Sequence, residues 1–192
     1  MRIIGIDPGT RNVGYGIVEE REGCLICLDH GCISSKDPVM ANRLVAIYEG
    51  LTAAIARWNP AAAAVETVFT SVNPRTAIAI GEGRGVAVLS AAQCGMPVQG
   101  YEPALVKRTV AGNGRADKEQ VRSMVKVLLN LAVPPATDHE SDALALAITH
   151  ARHAEQTART GGCIKKTFPT RGPLPDFVLK QLPPSLLGRL GR

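Results

Sequence analysis

Apolar positions recur with the two-residue period of strands in the first part of the chain and with helical spacing after it. Arg2–Asp7 is a short apolar run closed by Pro8, Gly9 and Thr10, Asn12–Glu19 alternates as a half-buried strand does, and Cys24–Ser34 is a third such run. The chain therefore opens as a three-stranded antiparallel meander. From about Pro38 to Trp58 the period changes, with Leu44, Val45, Tyr48, Leu51 and Ile55 at helical spacing and Pro60 closing the helix. Ala62–Glu66 has the length and unbroken apolar character of a buried strand. Asn73 then offers an N-cap and Pro74 a first helical residue, opening a helix that runs to about Gln93. A fifth strand is expected over Pro97–Glu102, a short helix over Pro103–Val110, and longer helices over Asp117–Leu131 and from His139 to about Glu155. The strands after the meander are reached through helices and so lie parallel. The order βββαβαβ followed by helices predicts an α/β protein, a five-stranded mixed sheet with helices on both faces.

Composition narrows the class. At 192 residues, 45% hydrophobic and 20% charged, the chain can bury a self-sufficient core, and no apolar run approaches the roughly 20 residues that cross a bilayer. Asp7 interrupts the N-terminal apolar run before a signal peptide can form, so a cytoplasmic location is expected. Five cysteines, an odd number, fit reduced thiols better than a disulfide framework. Cys24, Cys27, His30 and Cys32 look like a zinc site on paper. A period of two nevertheless sends Cys24 and Cys27 to opposite faces of their strand, and buried structural cysteines are the better reading. The net charge of +5 is unevenly spread: from Thr157 onward stand seven Lys or Arg and a single acid, Asp176, so the tail carries +6 and the rest −1. One domain is expected over residues 1–155, followed by a basic tail over 156–192 whose Pro169, Pro173, Pro175, Pro183 and Pro184 point to disorder. Such an arm either touches polyanions or only keeps the protein in solution.

Acids at the ends of these elements supply the candidate chemistry. Asp7 ends the first strand and Glu66 the fourth, each after an apolar run. A carboxylate in the middle of a sheet has no water to stabilise its charge, so either its pKa rises or a cation sits beside it. Asp142 opens the apolar face of the last helix, with His139 at i−3 and Asp138 at i−4 on the same face. Hard divalent cations take oxygen ligands, usually two or three carboxylates with waters. Two such ions a few Å apart hold a phosphodiester, activate a water and stabilise the leaving oxygen. Each acid alone has an ordinary explanation in a turn, a strand end or a helix N-terminus favoured by the dipole, but together they fit that explanation poorly. The element order is that of the ribonuclease H-like fold, which by itself determines no activity.

Around these residues the sequence resembles the RuvC family of crossover junction endodeoxyribonucleases, the Holliday junction resolvases. The matching stretches are Gly5-Ile-Asp-Pro-Gly-Thr-Arg-Asn-Val-Gly-Tyr-Gly, Val65-Glu-Thr-Val-Phe, Asn73-Pro-Arg-Thr-Ala, Gly83-Arg-Gly, Lys107-Arg-Thr-Val-Ala-Gly-Asn-Gly and Asp142-Ala-Leu-Ala-Leu-Ala-Ile-Thr-His, in that order and short of the tail. The resemblance implies a structure-selective, metal-dependent endonuclease that nicks opposed strands of a four-way DNA junction symmetrically during recombination and repair. It puts the catalytic and metal-binding positions on Asp7, Glu66, His139 and Asp142, with magnesium or manganese as cofactor, two ions per site. The third position is aspartate in many members, which leaves open whether Asp138 shares metal binding with His139. Phe69, set among Thr67, Thr70, Ser71 and Asn73, is either a base-stacking ring or tucked against the core near Val68. The resemblance puts it in the loop that engages unpaired bases at the junction centre. Lys107 and Lys118 match DNA-contacting positions. Arg75, Arg108 and Arg115 either add phosphate contacts or are plain surface charge. Tyr15, Trp58 and Tyr101 read as packing, and His150 and His153 as a solvated pair on a helix face.

A junction with two strands to cut has two-fold symmetry, so one active site per chain implies a homodimer. The helix from Pro74, with Ala77, Ala79, Gly81, Gly83 and Gly85, resembles the family's dimer helix, or else packs closely on its own sheet. The branch-migration complex of RuvA and RuvB is the further partner implied. Two rival readings remain: a nuclease of the same fold that processes ribosomal RNA, and a junction-binding protein without catalysis. The Phe69 loop and the small-residue helix speak against the first, the full set of acids against the second. An actin-like ATPase or sugar kinase shares the opening hairpin but needs a duplicated domain, for which 192 residues leave no room.

Overall fold

The computed structural model describes residues 1–67 and 74–160. Its strands are β1 (Arg2–Asp7), β2 (Asn12–Arg21), β3 (Cys24–Ser34), β4 (Ala62–Glu66) and β5 (Val98–Tyr101). Its helices are α1 (Met40–Trp58), α2 (Pro74–Gln93), α3 (Pro103–Ala111), α4 (Lys118–Leu128) and α5 (Asp138–Arg159). The strands form one sheet of order β3-β2-β1-β4-β5, antiparallel through the meander and parallel from β1 to β4 and from β4 to β5. This is the expected ribonuclease H-like α/β architecture.

Strand alternation decides what each face carries. Ile4, Ile6, Val13, Ile17, Val65 and Val98 meet Ile47 and Leu51 of α1 and Ala87 and Ala91 of α2. On the other face Ile3, Val18 and Ala64 meet Val106 of α3, Val121 and Val125 of α4, and Leu144 and Ile148 of α5. Asp7 has the parity of Ile3 and Glu66 that of Ala64, so both carboxylates leave the sheet on the α5 side. Ile6 pairs with Val65 across the parallel β1–β4 ladder, which makes Asp7 and Glu66 neighbours at the strands' C-terminal ends. Glycines let α5 lie unusually close on this face. A Cβ on Gly5 would stand 1.9 Å from the carbonyl oxygen of Ala143, and one on Gly14 1.9 Å from that of His139.

Helix ends and one bulge account for the differences from the sequence reading. α4 stops at Leu128 rather than Leu131 because Asn130 takes the left-handed conformation, φ 49°. The Asn130 N–H then donates to the Val127 carbonyl and the Leu131 N–H to the Lys126 carbonyl, a Schellman closure built on asparagine. α5 starts at Asp138, behind a Thr137 cap, and continues to Arg159, past the expected end near Glu155. In β3 the register shifts at Ile17/Val18, leaving Leu28 as the extra residue. The bulge rephases the strand: Leu25 and Cys27 pack with the α5 layer, Leu28 and Ile33 with the α1 layer. The cysteines are less buried than expected, Cys24 being exposed and Cys27, Cys32 and Cys94 half-buried; all four are free thiols. Asn73, Phe69 and the tail from residue 161 lie outside the described residues. Among the described residues no helix is long and apolar enough to cross a membrane.

Candidate active site

Three elements bring the acids together. β1 and β4 end side by side in Asp7 and Glu66, and the first two turns of α5 set His139 and Asp142 over them. The Nδ1 of His139 lies 2.7 Å from Oδ2 of Asp7, whose side chain is only 12% exposed. Burial, then the negative charges of Asp7 and Asp142, push the Glu66 carboxyl up to about 7. Burial and then Asp7 push Asp142 up to about 6. Lys107 and Lys118 oppose both burial and repulsion at Glu66. His139 is raised above its ordinary value by its bond to Asp7. Glu66, Asp142, Lys107 and Lys118 line a cavity of about 170 Å³, with Pro103, Val106, Val121 and Leu146 as its apolar wall.

Asp138 stands apart from this group. Its Oδ2 lies 2.9 Å from the Lys118 ammonium, and its side chain is 44% exposed, against the rim rather than in the cluster. Arg75, in the first turn of α2, and Arg115, in the turn before α4, are exposed and do not line the cavity. Arg108 is likewise exposed on α3. Phe69 belongs to the segment outside the described residues. His150 corrects the solvated-pair reading: it is buried, its Nδ1 lies 2.8 Å from the Tyr101 hydroxyl, and burial pushes it down to about 4, whereas His153 is exposed.

One residue of the site's support escaped the sequence reading. Glu140 is buried between His139 and Asp142; its Oε2 lies 2.7 Å from His30 Nδ1 on β3, and its Oε1 accepts from the Thr137 hydroxyl at 3.1 Å. Thr137 Oγ1 in turn accepts from the Glu140 N–H. The spacing Thr137-x-x-Glu140 is the capping-box signature and was the available signal. With His30 engaged there, the Cys24–Cys32 stretch has no common metal point.

Among the described residues no group of three or more His, Cys, Asp or Glu side chains closes round a metal ion as the side chains lie. The chemistry of the donor set nonetheless suits a hard divalent cation. Three carboxylates and an imidazole share one corner of the fold, and burial and mutual repulsion disfavour the charged forms of two of those carboxylates, a conflict that a cation relieves.

Fold and site together define an α/β protein of the ribonuclease H-like class with an acidic centre where β1, β4 and α5 meet. Residues 3–150 match the family model described as Crossover junction endodeoxyribonuclease RuvC. A protein of that name from Desulfitobacterium hafniense is 44% identical over 165 residues, 85% of this chain and 100% of the relative. Another, from Pelotomaculum thermopropionicum, is 49% identical over 154 residues, 80% of this chain and 94% of its own. Among solved structures, Thermus thermophilus RuvC in complex with Holliday junction substrate matches with a TM-score of 0.76 at 34% identity, over 81% of this chain and 96% of that one. The chain belongs to the RuvC family of crossover junction endodeoxyribonucleases.

Proposed function

We propose that the protein resolves four-way DNA junctions, nicking opposed strands symmetrically as a metal-dependent homodimer in the cytoplasm. The observation that carries this reading is the convergence of Asp7, Glu66 and Asp142 beside a lysine-lined cavity, in a chain of this family. In this reading Asp7, Glu66, His139 and Asp142 hold magnesium or manganese. A pair of such ions held there would supply Lewis acidity toward a phosphodiester and a water molecule.

The chain's own residues supply the rest. Glu66 and Asp142 must shed the protons that burial and repulsion favour before they can act as ligands. Lys107 and Lys118 draw the phosphate backbone to the cavity by charge, and they also ease ionisation of Glu66. His139 rather than Asp138 is the fourth ligand, because its imidazole is already on Asp7 while Asp138 is engaged by Lys118 at the rim. In this reading water attacks the phosphorus directly, with no covalent enzyme intermediate. Phe69 stacks on bases at the junction centre, and Arg75 and Arg115 contact outlying phosphates. The catalytic unit is the domain expected over 1–155, whose last helix continues to Arg159.

α2 is the dimer interface in this account. Gly83, Ala87 and Ala91 face their own molecule. Ile78 and Leu89, 65% and 49% exposed, stand at helical spacing with Gly81 and Gly85, whose surroundings are open. RuvA and RuvB are the branch-migration partners that family membership suggests. The test is to incubate the protein with a synthetic four-way junction, a matched duplex and a structured RNA, with and without magnesium, beside Asp7→Asn. Paired nicks in the junction alone, dependent on metal and lost in the variant while binding persists, are expected. Preferential cleavage of the RNA would favour the ribosomal RNA alternative, and junction binding with no metal-dependent cleavage would make the protein a non-catalytic binder.

A further inference from the structure

Two consecutive residues of α2 reach the ends of both acid-bearing strands. Gly83 lies against the turn that follows Asp7: a Cβ there would stand 2.3 Å from the carbonyl oxygen of Gly9. Arg84, half-buried, donates from Nε to the main-chain carbonyl of Glu66 at 3.0 Å. The Glu66 carboxylate leaves the sheet on the α5 side, whereas α2 packs on the other face. The guanidinium therefore grips the backbone from behind and leaves the carboxylate unengaged by it. Immediately after Glu66, the Thr67 N–H donates to the Tyr101 carbonyl at 2.8 Å. The end of β4 is thus tied to β5 on one side and to α2 on the other. α1 makes the same kind of contact with the other strand end, where buried Arg43 donates from Nε to the Thr10 carbonyl at 3.1 Å.

A cationic donor on a carbonyl is a strong, directional hydrogen bond, and a ligand carboxylate is only as well placed as the backbone that bears it. We infer that Arg84 is a positioning residue for Glu66: through the Glu66 carbonyl it sets where that carboxylate stands relative to Asp7 and Asp142, so that the geometry of the acidic centre depends on how α2 is seated. The inference rests on the reading of that centre as a metal site. It also gives assembly a route to the chemistry, since the helix that carries Arg84 bears the outward stripe on which two copies are proposed to meet.

The experiment compares wild type, Arg84→Ala and Arg84→Lys. Each is measured for thermal stability, for junction affinity without divalent metal, and for cleavage rate as a function of manganese concentration. Arg84→Ala is expected to keep wild-type junction affinity, to need about ten-fold more manganese for half-maximal rate, and to regain rate when free guanidinium is added. Arg84→Lys, which keeps a charged donor, is expected to fall between the two, and it decides the matter alone should the alanine variant not fold. A lower rate with an unmoved manganese midpoint would reduce Arg84 to a structural residue and overturn the inference. Lost junction affinity with an unmoved midpoint would make it a DNA contact and overturn it equally. A wild type that cleaves while both variants match it refutes this inference only; a wild type that cleaves nothing with any metal refutes the parent reading.

Discussion

Glu66 and Asp142 hold protons well above the pH at which ordinary carboxyls release them, and the sign of the consequence is fixed by linkage. Their ordinary values are 4.5 and 3.8 and their values in the fold about 7 and about 6, so between these limits the folded chain binds protons that the unfolded chain has lost. Stability without metal must then fall as pH rises through that window. Asp142→Asn removes one source of the fall. The variant should exceed wild type in stability near neutral pH by on the order of 1 kcal/mol once solvent screening is allowed for, read by urea unfolding in the presence of a chelator, while its cleavage is abolished. An equally sensitive or destabilised variant would mean that neither burial nor the charge of Asp7 disfavours the ionised carboxylate. His139 behaves differently because its raised value comes first from Asp7. Its contribution to the stability of the metal-free protein is complete below its ordinary 6.5 and disappears as pH rises through the higher folded value. Activity has the opposite demand, since imidazole must be neutral to bind metal. At limiting manganese the cleavage rate should drop as pH falls and His139, Glu66 and Asp142 take up protons; a His139→Ala variant that keeps the wild-type manganese midpoint would give the ligand role to Asp138.

Among the elements, α5 packs Leu144 and Ile148 on the sheet, and glycines permit it to come as close as it does. A methyl at Gly14 would collide with the His139 carbonyl, backbone against backbone, so neither partner can rotate away and the first turn of α5 has to move. Gly14→Ala should lose about 1–3 kcal/mol of stability and also weaken the response to manganese, which a titration of cleavage rate would detect. A variant that loses stability but keeps its manganese midpoint would show that the first turn of α5 need not sit where it does. These contacts mark the boundary of what the chain disclosed unaided. Strand and helix periods, the proline and glycine stops, and the i−3 spacing of His139 from Asp142 were all legible, because each is a local pattern. The function of Gly14 was not, because a residue without a side chain writes no pattern and its partner is far along the chain. The Leu28 bulge is a single inserted residue that alternation conceals, and the link from His30 to Glu140 spans 110 positions. Asn130 ended α4 early because asparagine tolerates the left-handed conformation usually left to glycine. Arg84 is one residue of the Gly83-Arg-Gly stretch in the sequence, and its tie to Glu66 emerges only with α2 lying over the end of β4.

For the whole molecule, the account requires two acidic centres held in one assembly. The outward stripe of Ile78, Gly81, Gly85 and Leu89 is the contact it assigns to that task. Replacing both apolar residues, Ile78→Asp with Leu89→Asp, should convert the protein to monomers by sedimentation and turn paired cuts into isolated single nicks. A dimer that survives the change would put the interface elsewhere. The centre itself is tested most directly by calorimetric titration of manganese into the protein slightly below neutral pH, in two buffers that differ in protonation enthalpy. Binding is expected to release protons from Glu66, Asp142 and His139, and Asp7→Asn to abolish it, as a cation held by these side chains requires. Manganese that binds without releasing protons, or binds Asp7→Asn as tightly as wild type, would contradict that expectation.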